Sequence, residues 1–511
     1  MTVAAAHDGR PHHAEVHLHT EHRVAPVDDR IFGGFLEHLG RAVYEGVYDP
    51  GNPLSDERGF RADVIDALRA LRMPLIRYPG GNFVSSHDWR HGVGPRELRP
   101  RRPDFAWRSI ETHQFGTDEF IEWCQAIGAE PMIAVNLGTA TPADAAALLE
   151  YCNLPAGTSY ADQRVSNGHA DPYGVRLWCL GNEMDGPWQA GHVPAQTYAE
   201  RALVASRLMK GLDPTIETVA CGSSGNSMPT YLEWDRVVLD HCWDSVDFIS
   251  AHRYSRNDHD DTLSFLAEGV AIDQVINDYR GLLAFVKART HGKHDVRVSF
   301  DEWNVWYRAT SGDGGFTEAP HLLEEHYNLE DALVCAQYLN AFIRHADIVG
   351  VACLAQIVNV IAPIMTRSDG LLIQTIYWPF KLIRDAMSGN ALRVAVRAPE
   401  VPTELGEVPV VDVAATHAFD GAAASVSIVN RDPSAAVELT IAISDAAFDV
   451  VHAHSITGNP KATNNWDTPD LIRPLEITVR SDEAKISVSL PGPSHTVISL
   501  QSRLASSKPK A

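Results

Sequence analysis

Val175-Arg-Leu-Trp-Cys-Leu-Gly-Asn-Glu183 and Val296-Arg-Val-Ser-Phe-Asp-Glu302 decide how this chain is read. Each is an apolar run of residues that suit a buried, pleated strand, and each stops at a glutamate where the chain turns polar. Strands of this kind belong to parallel sheets covered on both faces. In a parallel α/β barrel the C-terminal strand ends form the active-site face, so residues there carry chemistry more often than packing. Two glutamates on one face are what glycosidic bond cleavage requires: one protonates the leaving oxygen and the other attacks or activates water. A lone strand-end glutamate is ordinarily a solvated side chain. Asn182 before the first, and Asp301 and Asn304 around the second, set these two apart.

Working outward, strand–helix alternation gives eight candidate strands: 31–40, 74–81, 131–138, 175–183, 216–225, 246–254, 296–304 and 348–360. Amphipathic stretches separate them, among them 61–72, where Val64, Ile65, Leu68 and Leu71 recur at helical spacing. Eight such units predict a (β/α)8 TIM barrel over residues 28–385. Glu183 ends the fourth candidate strand and Glu302 the seventh, three units of about 40 residues apart, so both reach one face. The Pro79-Gly80-Gly81-Asn82 turn lacks the glycine spacing of a phosphate-binding loop, which disfavours an open doubly wound sheet.

From about Trp378 onward, short β-rich segments punctuated by Pro, Gly, Asn and Asp predict a C-terminal antiparallel β-sandwich over 386–511. Residues 14–22 alternate in the same way. They predict that 1–27 contributes a strand to that sandwich, while Ser506–Ala511 reads as a frayed tail.

Composition bounds the function. A chain of 511 residues, 45% apolar and 21% charged, is that of a globular protein with one large and one smaller domain. A net charge of −23 argues against nucleic acid or anionic membrane as a partner. The N-terminal stretch has no apolar run of signal-peptide type, and the run from Ile348 to Met365 is broken by Gln356 and Asn359. Seven scattered cysteines without a CxxC pair match buried free thiols in a reducing compartment, so the expected location is the cytoplasm.

Other strand ends carry groups suited to a sugar: Glu37 and His38, Arg77 and Asn82, Asn136, His252 and Tyr254, and Gln356 with Asn359. Sugar hydroxyls need paired donors and acceptors, and aromatic faces such as Trp107 and Trp306 cover C–H surfaces. Tyr254 and Arg77 are the candidates to donate to Glu302 and hold it charged.

FLEHLG, RYPGGNF, WCLGNEMDGPWQ, AHRY and FDEWNVWY, in this order, closely resemble the α-L-arabinofuranosidases of glycoside hydrolase family 51. The resemblance implies a retaining, exo-acting enzyme that releases terminal α-L-arabinofuranosyl residues from arabinan- or arabinoxylan-derived oligosaccharides without a cofactor. It implies Glu183 as acid/base and Glu302 as nucleophile. By the same resemblance Glu37, Asn82, Asn182, Tyr254 and Gln356 match ring-holding positions, and Trp107 and Trp306 the leaving-group side. A homohexamer is also implied. Residues 311–325 align poorly with the family pattern.

Two other classes compete, a non-catalytic carbohydrate-binding protein, which has no need of paired glutamates, and a metal-dependent hydrolase; within the enzyme class the runner-up is a β-xylosidase or endoglucanase on the same barrel. His17, His19 and His22 raise a metal site. No carboxylate set at ligand spacing joins them, so no metal is expected.

Overall fold

The computed structural model describes residues 11–308, 315–482 and 485–503. Eight parallel strands close into a barrel: Gly33–Phe35, Leu75–Tyr78, Glu130–Ala134, Leu177–Leu180, Glu217–Ala220, Phe248–Ser255, Arg297–Val305 and Val349–Ala355. Consecutive strands are neighbours, and the eighth closes on the first through Cys353 opposite Gly33. All eight candidate segments therefore contribute a strand, though most strands are shorter than their segments. The first is the extreme case, because Asp28 caps a 3-10 turn at Asp29–Phe32 and only three residues remain to pair. Gly33 and Gly34 admit close neighbours there: a Cβ on Gly34 would lie 2.7 Å from Ile357 Cγ2.

Phe35, Leu75, Met132, Leu177, Val219, Phe248 and Val351 fill the barrel interior. Helices Ala62–Leu71, Thr117–Ile127, Pro142–Asn153, Ala195–Leu212, Glu233–Cys242, Glu268–Thr290, Leu329–Arg344 and Tyr377–Ala386 wrap the outside. None of the described helices is long and apolar enough to cross a membrane, and all seven cysteines are buried free thiols.

Two large sheets follow the barrel. In the five-stranded one, His12–Leu18 lies between Ala395–Arg397 and Val437–Ile443, antiparallel to the first and parallel to the second. That parallel pair is a departure from a wholly antiparallel sandwich. The seven-stranded sheet is built on Val411–His417, Ala423–Asn430, Ser494–Ser502 and Phe448–Thr457. Val437–Ile443 alternates buried and half-buried positions, as a strand with one covered face must. Helix Leu329–Arg344 is buried nearly all round because it lies between barrel and sheet. Buried Arg431 crosses that junction, donating to Gln337 Oε1 at 2.9 Å and Asp412 Oδ1 at 3.1 Å. The tail at Ser506–Ala511 lies outside the described residues.

Candidate active site

Strand seven does not end at Glu302; it runs three residues further, to Val305. Against strand six, Ser250 pairs with Ser299 but His252 pairs with Glu302, so strand seven carries one extra residue at this point. In a regular strand, neighbours point to opposite faces. The bulge brings the adjacent Asp301 and Glu302 to the same partners at the barrel mouth, Arg77 and His252. Glu183 lies three residues beyond strand four, and its φ of +44° is the left-handed region that non-glycine residues rarely adopt.

Glu302 Oε1 accepts from Arg77 Nη1 at 2.8 Å, and Oε2 accepts from Tyr254 Oη at 3.0 Å. His252 Nδ1 is 2.9 Å from Glu183 Oε1 and 3.5 Å from Glu302 Oε2, so the imidazole spans the two carboxylates. Its Nε2 meets Asp301 Oδ1 at 3.2 Å. Burial alone would lower the His252 pKa, but the charge of Glu302 and the bonds from Asp301 and Glu183 outweigh it and raise it to about 10. Burial and the facing Glu183 push the Glu302 carboxyl up, while His252 and Arg77 pull the other way. Burial opposes ionisation of Asp301 too, yet Arg77 and His252 hold it below the usual carboxylate range. Three carboxylates and two cations thus share one network beneath the barrel mouth.

A cavity of about 410 Å³ opens over this network, lined by Glu37, Asn82, Trp107, Glu183, Tyr254, Glu302, Trp306 and Gln356 among others. Glu37 accepts from Phe83 N, from Trp107 Nε1 at 2.8 Å and from Gln356 Nε2 at 3.1 Å. Burial raises its carboxyl to about 8, against the pull of those donors. Gly80 and Gly81 make room for it: a Cβ on either would come within 2.6 Å of Glu37. Trp306 packs edge-on to Tyr254 with ring centres 5.0 Å apart.

Arg77, Asn182 and His252 were expected to contact substrate directly, but none of them lines the cavity; all three are buried beneath it. Arg77 is a cation held under Glu302, with Asn182 Oδ1 accepting from its Nη2 at 2.7 Å. The Asn182 amide nitrogen has no protein partner, which leaves one unspent donor beside the carboxylates. His38 turns away to Glu111, and Asn359 ties down Thr366 and the Arg41 carbonyl. Asn136 lines a different cavity of about 270 Å³ with His87 and Arg90.

Sequence reasoning missed Trp188, whose Nε1 donates to Glu183 Oε2 at 2.8 Å, and the Ser224, Gly225, Ser227 and Met228 wall. Trp188 stands in the same motif as Glu183, where a signal was available. The serine-rich wall looks like any turn.

Glu183, His252 and Glu302 are the one trio of potential metal ligands that come together among the described residues, their donor atoms within 4.8 Å of one another. Both His252 nitrogens already face carboxylates and Arg77 already faces Glu302, so this donor set is arranged to hold protons. His17, His19 and His22 join no such group among the described residues.

Comparison with known proteins points to one family over most of the chain. Residues 67–268 match the α-L-arabinofuranosidase 1 domain and residues 301–494 the α-L-arabinofuranosidase C-terminal domain. An intracellular exo-α-(1→5)-L-arabinofuranosidase of Halalkalibacterium halodurans is 45% identical over 422 residues, 82% of this chain and 84% of that one. An exo-α-(1→6)-L-arabinofuranosidase of Bifidobacterium longum is 42% identical, covering 96% of this chain and 99% of its own. The solved structure of a family 51 α-L-arabinofuranosidase from Bifidobacterium longum superposes with a TM-score of 0.92 at 37% identity, over 96% of this chain and 99% of that one. The chain belongs to the α-L-arabinofuranosidases of glycoside hydrolase family 51.

Proposed function

We propose that this chain is a retaining exo-α-L-arabinofuranosidase with Glu302 as nucleophile and Glu183 as acid/base. The observation that carries the reading is the approach of the two carboxyl groups, with donor oxygens within 4.8 Å. Retaining glycosidases hold these groups about 5–5.5 Å apart, whereas inverting ones leave room for a water at about 6.5–9.5 Å.

In this reading the ionised Glu302 attacks the anomeric carbon while Arg77 and Tyr254 orient it. Glu183 gives its proton to the leaving oxygen, then takes one from the incoming water. Glu37, Asn82 and Gln356 accept and donate to ring hydroxyls. Trp107 and Trp306 flank the exit of the leaving group.

A panel of 4-nitrophenyl glycosides tests the substrate class. Preference for the α-L-arabinofuranoside supports it, and a faster β-D-xyloside would overturn it. The two relatives differ in linkage, α-(1→5) and α-(1→6), so arabinan-derived and branched oligosaccharides are to be compared directly.

Residues 1–27 with 386–511 as a sandwich domain and 28–385 as the catalytic barrel is the proposed division, which limited proteolysis tests. We further propose a cytoplasmic homohexamer, resting on family likeness and on seven buried free thiols. Sedimentation equilibrium checks the assembly.

A further inference from the structure

We infer that Asp185 is a positioning residue for the acid/base, acting through Ser224. The inference rests on the proposed role of Glu183 and adds the device that fixes it in place.

Glu183 sits in a left-handed backbone conformation, and such a conformation persists only where the surroundings enforce it. Within the turn, Gly186 N donates to Glu183 O at 2.8 Å and the His192 ring meets Met184 O at 3.2 Å. Long-range restraints come from Asn182 on one side, which accepts from Arg77, and on the other from Asp185, which is buried. Its oxygens accept from Ser224 N at 3.2 and 3.1 Å and from Ser224 Oγ at 3.2 Å. Ser224 belongs to the loop after strand five, and that loop is itself anchored from behind. Ser223 N donates to Asp235 Oδ1 at 2.9 Å, and Tyr279 Oη donates to the same oxygen at 3.0 Å. A rigid chain therefore runs from helix Glu233–Cys242 through Asp235, Ser223 and Ser224 to Asp185, two residues from the acid/base.

The Glu183 side chain is held by His252 and Trp188 only at its oxygens. Neither contact sets where its Cα stands; Asn182 bonded to Arg77 anchors the near side of the turn and Asp185 bonded to Ser224 the far side. Ser224, Gly225, Ser227 and Met228 line the same cavity, so this tie also sets the distance between the proton donor and the wall facing it. Burial raises the Asp185 carboxyl to about 6, against the Ser224 bonds. Its neutral form still offers an oxygen to the Ser224 N–H.

The test uses aryl α-L-arabinofuranosides of graded leaving-group pKa, with an alkyl arabinofuranoside at the poor end. Proton donation matters only for poor leaving groups. Asp185→Ala should lose roughly 10- to 100-fold in kcat/KM on the poorest leaving group, the cost of misplacing a catalytic group by about an ångström. On the dinitrophenyl glycoside it should stay within about threefold of wild type, so the plot steepens. Asp185→Asn keeps an acceptor for the Ser224 N–H and should restore most of the wild-type slope. Ser224→Ala breaks the hydroxyl bond from the other side and should steepen the plot by less. Glu183→Ala is the reference. If it does not steepen the plot, the acid/base role itself is wrong. If it does while Asp185→Ala and Ser224→Ala stay parallel to wild type, Asp185 has only a structural role and the inference falls. A slope in Asp185→Asn as steep as in Asp185→Ala would likewise overturn positioning, in favour of an effect of charge.

Discussion

His252 Nδ1 stands 2.9 Å from Glu183 Oε1 on one side of the barrel mouth, and the same nitrogen faces Glu302 at 3.5 Å. One buried imidazolium therefore stabilises whichever carboxylate carries the charge. That suits the proposed cycle, in which the negative charge sits on Glu302 before the glycosyl ester forms and on Glu183 while it lasts.

Glu302→Ala should reduce turnover by at least about a thousandfold on every substrate, because in the proposed double displacement both chemical steps pass through the glycosyl ester. Steady-state rates on 4-nitrophenyl and oligosaccharide substrates check this. Residual activity above a hundredth of wild type would show that another group attacks.

Glu183→Ala should spare ester formation from an activated aryl glycoside and block its hydrolysis, giving a burst followed by slow turnover. Azide needs no deprotonation, so it should restore turnover and yield an arabinofuranosyl azide of retained configuration by proton NMR. An inverted azide would rule out double displacement.

His252→Gln removes a cation that lowers the Glu302 pKa. The nucleophile must be ionised, so the acidic limb of the kcat/KM profile should move to higher pH, by about one unit. A limb that stays in place would mean that His252 carries no charge in the free enzyme.

Asp331 gives a pH dependence away from the chemistry. It accepts from Tyr307 Oη at 2.6 Å and Asn328 N at 2.8 Å, and burial raises its carboxyl to about 7 from 3.8. A raised folded-state pKa means that the folded chain binds the proton more tightly than the unfolded one. The resulting stability is complete below pH 4 and is lost as pH rises through 7, a difference of up to about 4 kcal/mol. The melting temperature of wild type should therefore fall from pH 5 to pH 8, and Asp331→Asn should flatten that fall. An unchanged slope in the variant would assign the effect to other buried carboxyls such as Glu37.

Helices 117–127 and 195–212 are legible to the residue because their apolar spacing and their ends are local signals. The eight strands are legible as apolar runs, and so is the arrival of Glu183 and Glu302 on one face, since strand order alone decides it. Chemistry-bearing residue types at strand ends were enough to single out Glu37, Tyr254 and Gln356, and the cavity contains all three.

Tertiary structure decided which polar residues line the cavity and which lie beneath the carboxylates. Arg77, Asn182 and His252 occupy strand ends as Glu37 does, yet they are buried in the charge network. The bulge that aims Asp301 and Glu302 together depends on the register between strands six and seven. The grip of Asp185 on Ser224 joins residues 39 positions apart. Composition and periodicity report how each segment partitions between water and core. Register, bulges and long-range hydrogen bonds depend on which segments become neighbours, and the closure of the barrel alone sets that.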